Sequence, residues 1–100
     1  MNLTRHLGTG RDSARTLGEL AERLNLPRRS IEEAVQEARL SGVPIIGGSE
    51  GLWLAQTAAE GRAWAARQRS RAIHLMESAQ GVEKWADERD SEQISLGWAA

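Results

Sequence analysis

No cysteine occurs among the 100 residues. Disulfides and thiolate metal sites are excluded, and the chain suits a reducing cytosol. Phenylalanine and tyrosine are absent too, so four tryptophans supply every aromatic ring. Lysine is almost missing: of 13 basic residues only Lys84 is not arginine. Arginine forks suit phosphates and base edges better than lysine does, although a GC-rich coding sequence would give the same preference without a functional cause. No apolar run approaches the ~18 residues of a membrane span, and "MNLTRHLGTGRD" lacks the apolar core of a secretory signal. A cytoplasmic protein without membrane contact is therefore expected, nucleoid-associated if it binds DNA. His6 and His74 share no ligand spacing, and no HExxH, Walker loop, GxGxxG or Ser–His–Asp arrangement occurs. Neither metal, nor cofactor, nor enzymatic activity is expected.

What is present reads as one globular domain. Forty per cent of the residues are hydrophobic and 27% charged, and the length suffices for one core. The formal net charge of −1 gives no general attraction to nucleic acid. It is unevenly spread: residues 1–80 sum to +2 and residues 81–100 to −3.

Along the chain, Leu3 and Leu7 suit a short first helix over residues 2–7, broken by "GTG", with "RDSAR" as connector. Thr16 and Glu19 make a capping box. The helix they open carries Leu17, Leu20, Ala21 and Leu24 on one side. Asn25 tolerates the left-handed conformation that ends a helix in a tight turn, and Pro27 suits the first turn of the next. That next helix has Ile31, Ala34, Val35 and Ala38 on one face and Gly42 at its end. "VPII", "GGSEG" and "LWLA" read as a β-hairpin with a glycine-rich tip, Pro44 standing at a strand start. Thr57 and Glu60 form a second capping box, opening a helix to about Gln80, which Gly81 interrupts. Residues 82–93 suit a weaker helix. The apolar end at Ile94, Leu96 and Trp98 is left unassigned, docking either on the body or on something else.

Two helices joined by "NLP" and followed at once by a hairpin spell a winged helix-turn-helix. Residues 16–55, through "LGELAERLNLPRRSIEEAVQEARLSGV" and "GGSEGLWLA", resemble the winged helix-turn-helix of the biotin-repressor type. The resemblance implies a small residue at the helix crossing, Ala21, and a buried face at Ile31 and Ala34. It departs from the family at Asn25, where glycine is usual, and at Trp53, where tyrosine is more frequent. The chain also looks like the small bacterial and phage proteins that join such a wing to a helix like "TAAEGRAWAARQRSRAIHLMESA". The expected fold is mainly α with a small β-hairpin: a winged helix-turn-helix over 1–56, with recognition helix 28–41 and wing 43–55. A packing or dimerisation helix over 57–80 and an acidic tail over 81–100 complete it.

In a helix-turn-helix the N-terminal part of the second helix enters the major groove. With Ile31, Ala34, Val35 and Ala38 buried, the outward face holds Arg28, Arg29, Glu32, Glu33 and Gln36. Arginine matches guanine O6 and N7, glutamine pairs with adenine, and Glu32 or Glu33 can accept from cytosine N4. Ser30 can reach a base edge or phosphate, Arg11 and Arg15 can hold phosphates, and Ser49 at the wing tip can approach the backbone. Double-stranded DNA is one expected partner. The alternative is protein or solvent: Arg28 with Glu32 and Arg29 with Glu33 are i,i+4 pairs that merely solubilise a helix. Glu32, Glu33, Glu37 and the wing's Glu50 repel phosphate. The long helix divides in the same way. Trp64, Ala65, Ala72, Leu75 and Met76 serve either intramolecular packing or a homodimer through 58–80. An acidic tail folding back over the basic helix is a further alternative.

Overall fold

In a computed structural model, the backbone of residues 2–99 and the side chains of residues 2–92 are described. Two α-helices, α1 (Leu17–Leu24) and α2 (Arg28–Leu40), precede a hairpin of β1 (Ile45–Gly48) and β2 (Gly51–Leu54), and α3 (Ala58–Ala99) follows. The protein is mainly α with one two-stranded antiparallel hairpin and a long C-terminal helix, a topology compatible with a winged helix-turn-helix. The chain divides into two compact units, Met1–Ala65 and Ala66–Ala100.

The local signals act as their chemistry requires. Thr16 Oγ1 accepts from the Glu19 amide at 3.1 Å and starts α1. Asn25 ends it with φ 53° and ψ 47°. The Leu26 amide then reaches back to the Ala21 carbonyl at 3.0 Å, satisfying an acceptor that the helix end leaves free. Pro27 precedes the first turn of α2 rather than occupying it. It is the N-cap, with φ −63°. At the other end of α2, Gly42 takes φ 91° and the Val43 amide bonds the Ala38 carbonyl at 2.9 Å, the same closing arrangement.

The helical core holds Leu20 from α1, Ile31 and Val35 from α2 and Ile45 from β1, with Leu3 and Leu7 packed in from the N-terminal segment. Leu20, Ile31 and Ile45 are fully buried, each worth roughly 1.5–3 kcal/mol relative to exposure. Leu3 does not sit in an α-helix as the sequence suggested. Residues Leu3–His6 form one 3-10 turn, capped by Asn2, whose Oδ1 accepts from the Thr4 amide at 3.2 Å.

The connector is not a passive linker either. Arg15 and Leu52 exchange both backbone hydrogen bonds, at 2.9 and 2.8 Å, and the Gly10 amide donates to the Leu54 carbonyl at 2.9 Å. Residues 8–15 thus cover the outer edge of β2 and leave it no free ladder at those positions. Gly51 is required here. Its φ is +125°, and an added Cβ would lie 2.5 Å from the Arg15 carbonyl oxygen.

β1 and β2 pair Ile45 with Leu54, Ile46 with Trp53, Gly47 with Leu52 and Gly48 with Gly51. Strand alternation turns Ile45 toward the helical core and Ile46 with Trp53 toward the other face. All three are buried.

α3 runs unbroken through Gly81, contrary to the expected interruption there. An added Cβ at Gly81 would meet nothing within 4 Å. One glycine inside an exposed helix costs only about 1 kcal/mol relative to alanine, too little to end it. Residues 82–92 continue the same helix beyond Gly81. The side chains of Ile94, Leu96 and Trp98 lie outside the described residues.

Candidate nucleic-acid interface

α2 is oriented by its buried stripe. Ile31 and Val35 are buried, while Arg28, Arg29, Glu32, Glu33, Gln36 and Glu37 are all exposed. Arg28 and Arg29 are the first two residues of the helix. They follow a proline whose fixed φ sets the entry angle. Ser30 is half-buried, which leaves less of its hydroxyl open to a base edge or phosphate.

The two arginines differ in their surroundings. Arg29 Nε donates to Glu33 Oε1 at 3.2 Å, the i,i+4 pair expected from the sequence. Both groups are well exposed, so the pair is screened and worth a few tenths of a kcal/mol, roughly 0.2–0.5. A phosphate or base edge can displace it at little cost. Among the described residues Arg28 makes no ion pair with Glu32. Its guanidinium instead lies by Gly18 of α1, where an added Cβ would come within 3.0 Å of Nη2. Gly18 leaves the space in which Arg28 rests.

The hairpin tip is Ser49–Glu50, both exposed. The negative charge of Glu50 does not stand alone. Arg11 Nε is 3.8 Å from Glu50 Oε2, and the Arg11 guanidinium lies 5.5 Å from the centre of the Trp53 ring. Arg11 is therefore engaged with the hairpin instead of standing free before α1. Arg15 contributes mainly through its backbone, in the pairing with Leu52, and its side chain is half-buried.

Two anchoring groups were not legible in the sequence. The first is Glu60. Its amide donates to the Thr57 cap at 3.1 Å, as a capping box requires, but its carboxylate does something further. Oε1 accepts from the Trp53 indole N–H at 2.7 Å and Oε2 from the Gln56 amide at 3.1 Å. The indole hydrogen bond first, then the Gln56 amide, with a smaller contribution from Arg11, hold the Glu60 carboxyl below its ordinary range. The second is Arg39. Its Nε donates to the Ile45 carbonyl at 2.7 Å while its guanidinium stacks 4.4 Å over the Trp64 ring. Burial lowers its pKa, which for arginine leaves the charge in place at any physiological pH. Together these contacts fasten the hairpin to the C-terminal end of α2 and to the first turns of α3.

The residues expected on the long helix separate. Trp64 and Ala65 are half-buried within the first unit, whereas Ala72, Leu75 and Met76 are exposed. Electrostatically the first unit is neutral: residues 1–65 hold eight arginines and eight carboxylates. No group of three or more acidic or histidine side chains that could hold a metal ion occurs among the described residues. No described helix is long and apolar enough to cross a membrane. Comparison with known proteins yields no match to any family model, curated protein or solved structure.

Proposed function

We propose that this chain is a small DNA-binding protein of the winged helix-turn-helix, biotin-repressor type, acting as a transcriptional regulator. The observation that carries this reading is the division of α2. One side is sealed by Ile31 and Val35, and the other presents Arg28, Arg29 and Gln36 to solvent, immediately before a two-stranded hairpin in the chain. In this reading α2 enters the major groove N-terminus first. Arg28 or Arg29 addresses guanine, Gln36 addresses adenine, and Glu33 accepts from cytosine once Arg29 has left it. Arg15 and Ser49 are the remaining candidates for backbone contacts. Because the first unit is neutral, affinity comes from base contacts more than from counterion release, and binding to random DNA is weak.

A random-sequence DNA selection tests this. Enrichment of a motif supports the regulator, and a palindromic motif adds a two-fold dimer. No enrichment sinks it.

A second reading, a protein-interaction module on the same face, is favoured by that neutral charge and by Glu32, Glu33 and Glu37 beside the arginines. Such a winged helix holds a protein partner, for example a polymerase or replication factor. It shows little salt-dependent DNA affinity, since few phosphates are neutralised.

A further inference from the structure

We infer that residues 66–92 of α3 pair antiparallel with the same segment of a second copy of the chain. This does not rest on the DNA reading.

From residue 66 to residue 92 no side chain is buried. Ile73, Leu75, Met76, Val82 and Trp85 are 54%, 66%, 61%, 66% and 57% exposed. They are spread around the helix, but two of them, Leu75 and Val82, fall on a repeat. Leu75 and Val82 are seven apart, in line with Gln68 and Arg89. Ala65, Ala72, Ala79 and Ala86 are also seven apart, offset by three from that row. From Ala72 through Leu75, Ala79 and Val82 to Ala86 the spacing alternates three and four, two heptads of the pattern of a two-helix seam, with polar Gln68 and Arg89 at its ends. Alanine at every alternate layer permits a close approach. The larger Leu75 and Val82 then pack across alanines of the facing helix.

Charge selects the occupant and its direction. Residues 66–76 carry Arg67, Arg69 and Arg71 and no acid. Residues 77–92 carry six acids against Lys84 and Arg89. The helix dipole cannot account for this order, since it favours acids near the N-terminus and bases near the C-terminus. Within this segment the ion pair found among the described residues is Arg89 with Glu92 at 3.3 Å, both exposed. That pair leaves the three arginines unanswered within their own helix. The charges flanking the seam are Arg69 and Arg71 at one end, and Glu83, Asp90 and Glu92 at the other. A parallel copy would set arginines beside arginines and acids beside acids. An antiparallel copy, crossing near residue 79, sets each basic end beside an acidic one. A segment of this chain is thus complementary to itself in reverse.

The absence of cysteine makes a direct test clean. Ser78→Cys and Ser91→Cys are each labelled with a nitroxide in the full-length chain, and distances within the dimer are read by pulsed electron resonance. At a rise of 1.5 Å per residue, the antiparallel pair gives a short distance at residue 78 and roughly 36 Å at residue 91. Short distances at both positions would mean a parallel pair and overturn the proposal. So would sedimentation as a monomer at every concentration that stays in solution. Leu75→Asp and Val82→Asp are each expected to raise the dimer dissociation constant at least about tenfold. Because both side chains are exposed in the monomer, these variants fold, and dimerisation at unchanged strength would overturn the proposal as well.

Discussion

Residues 17–54 and residues 66–92 both carry large apolar side chains, yet those side chains have opposite fates. In the first segment Leu20, Ile31, Val35, Ile45, Ile46 and Trp53 are all buried. In the second, Ile73, Leu75, Met76, Val82 and Trp85 are all exposed. The difference lies in what punctuates the helices. Thr16, Asn25, Pro27 and Gly42 start and stop α1 and α2 within short lengths, so their apolar stripes can turn to face one another and the hairpin. Between residues 58 and 92 stand two glycines, Gly61 and Gly81, and neither ends the helix. A helix that cannot fold back cannot bury its own stripe. Periodicity alone therefore announces that a face wants covering, and the caps decide whether the same chain can cover it.

The largest effect separates the two stripes directly. Ile31→Ala should cost about 2–5 kcal/mol of unfolding free energy, as a fully buried isoleucine truncated to alanine does. Leu75→Ala should stay within about 0.5 kcal/mol at concentrations below self-association. Equal losses in denaturant titrations would erase the distinction. Next comes the edge of the hairpin. Gly51→Ala forces a side chain into φ +125° and against the Arg15 backbone, and about 1–3 kcal/mol is expected from the strained conformation alone. Gly81→Ala, in the open part of α3, should instead raise helicity slightly, by an amount worth at most about 1 kcal/mol. Circular dichroism melts of the two variants should move in opposite directions.

The smallest effect concerns pH. The Glu60 carboxyl is held below its ordinary range by the Trp53 indole and the Gln56 amide. Its contribution is therefore complete above the unfolded glutamate value of about 4.3 and disappears as pH falls through the lower folded value. The near-ultraviolet dichroism of the tryptophans should hold steady from pH 7 to pH 5 and decline below about 4. Glu60→Gln should flatten that decline.

The fold was largely legible because each element carries its own local cause. The capping threonines, the left-handed Asn25, the terminal Gly42 and the hairpin between Ile45 and Leu54 all stand where spacing placed them. What the sequence concealed is tertiary. Nothing in "RDSAR" shows that Arg15 will share two backbone hydrogen bonds with Leu52 across some forty residues of chain, because backbone pairing leaves no signature in an unpatterned connector. Glu60 looked complete as a capping residue, and its second partner, Trp53, lies seven positions earlier on a strand. Arg39 looked like one more solvated charge at the end of a helix, and its stacking on Trp64 depends on where α3 begins. On the candidate interface, exposure of Arg28 and Arg29 followed from the buried stripe. The resting of Arg28 over Gly18 did not, since it needs the crossing of α1 and α2 to be known.

Amide chemical-shift mapping of the isotope-labelled full-length protein, titrated with short duplex DNA, addresses the central claim most directly. The account predicts that shifts concentrate at residues 28–36 of α2 and around Ser49 at the wing tip, while the buried Ile31 and Val35 side-chain methyl signals stay put. Shifts confined to the arginines of α3, or none at DNA excess, would contradict it.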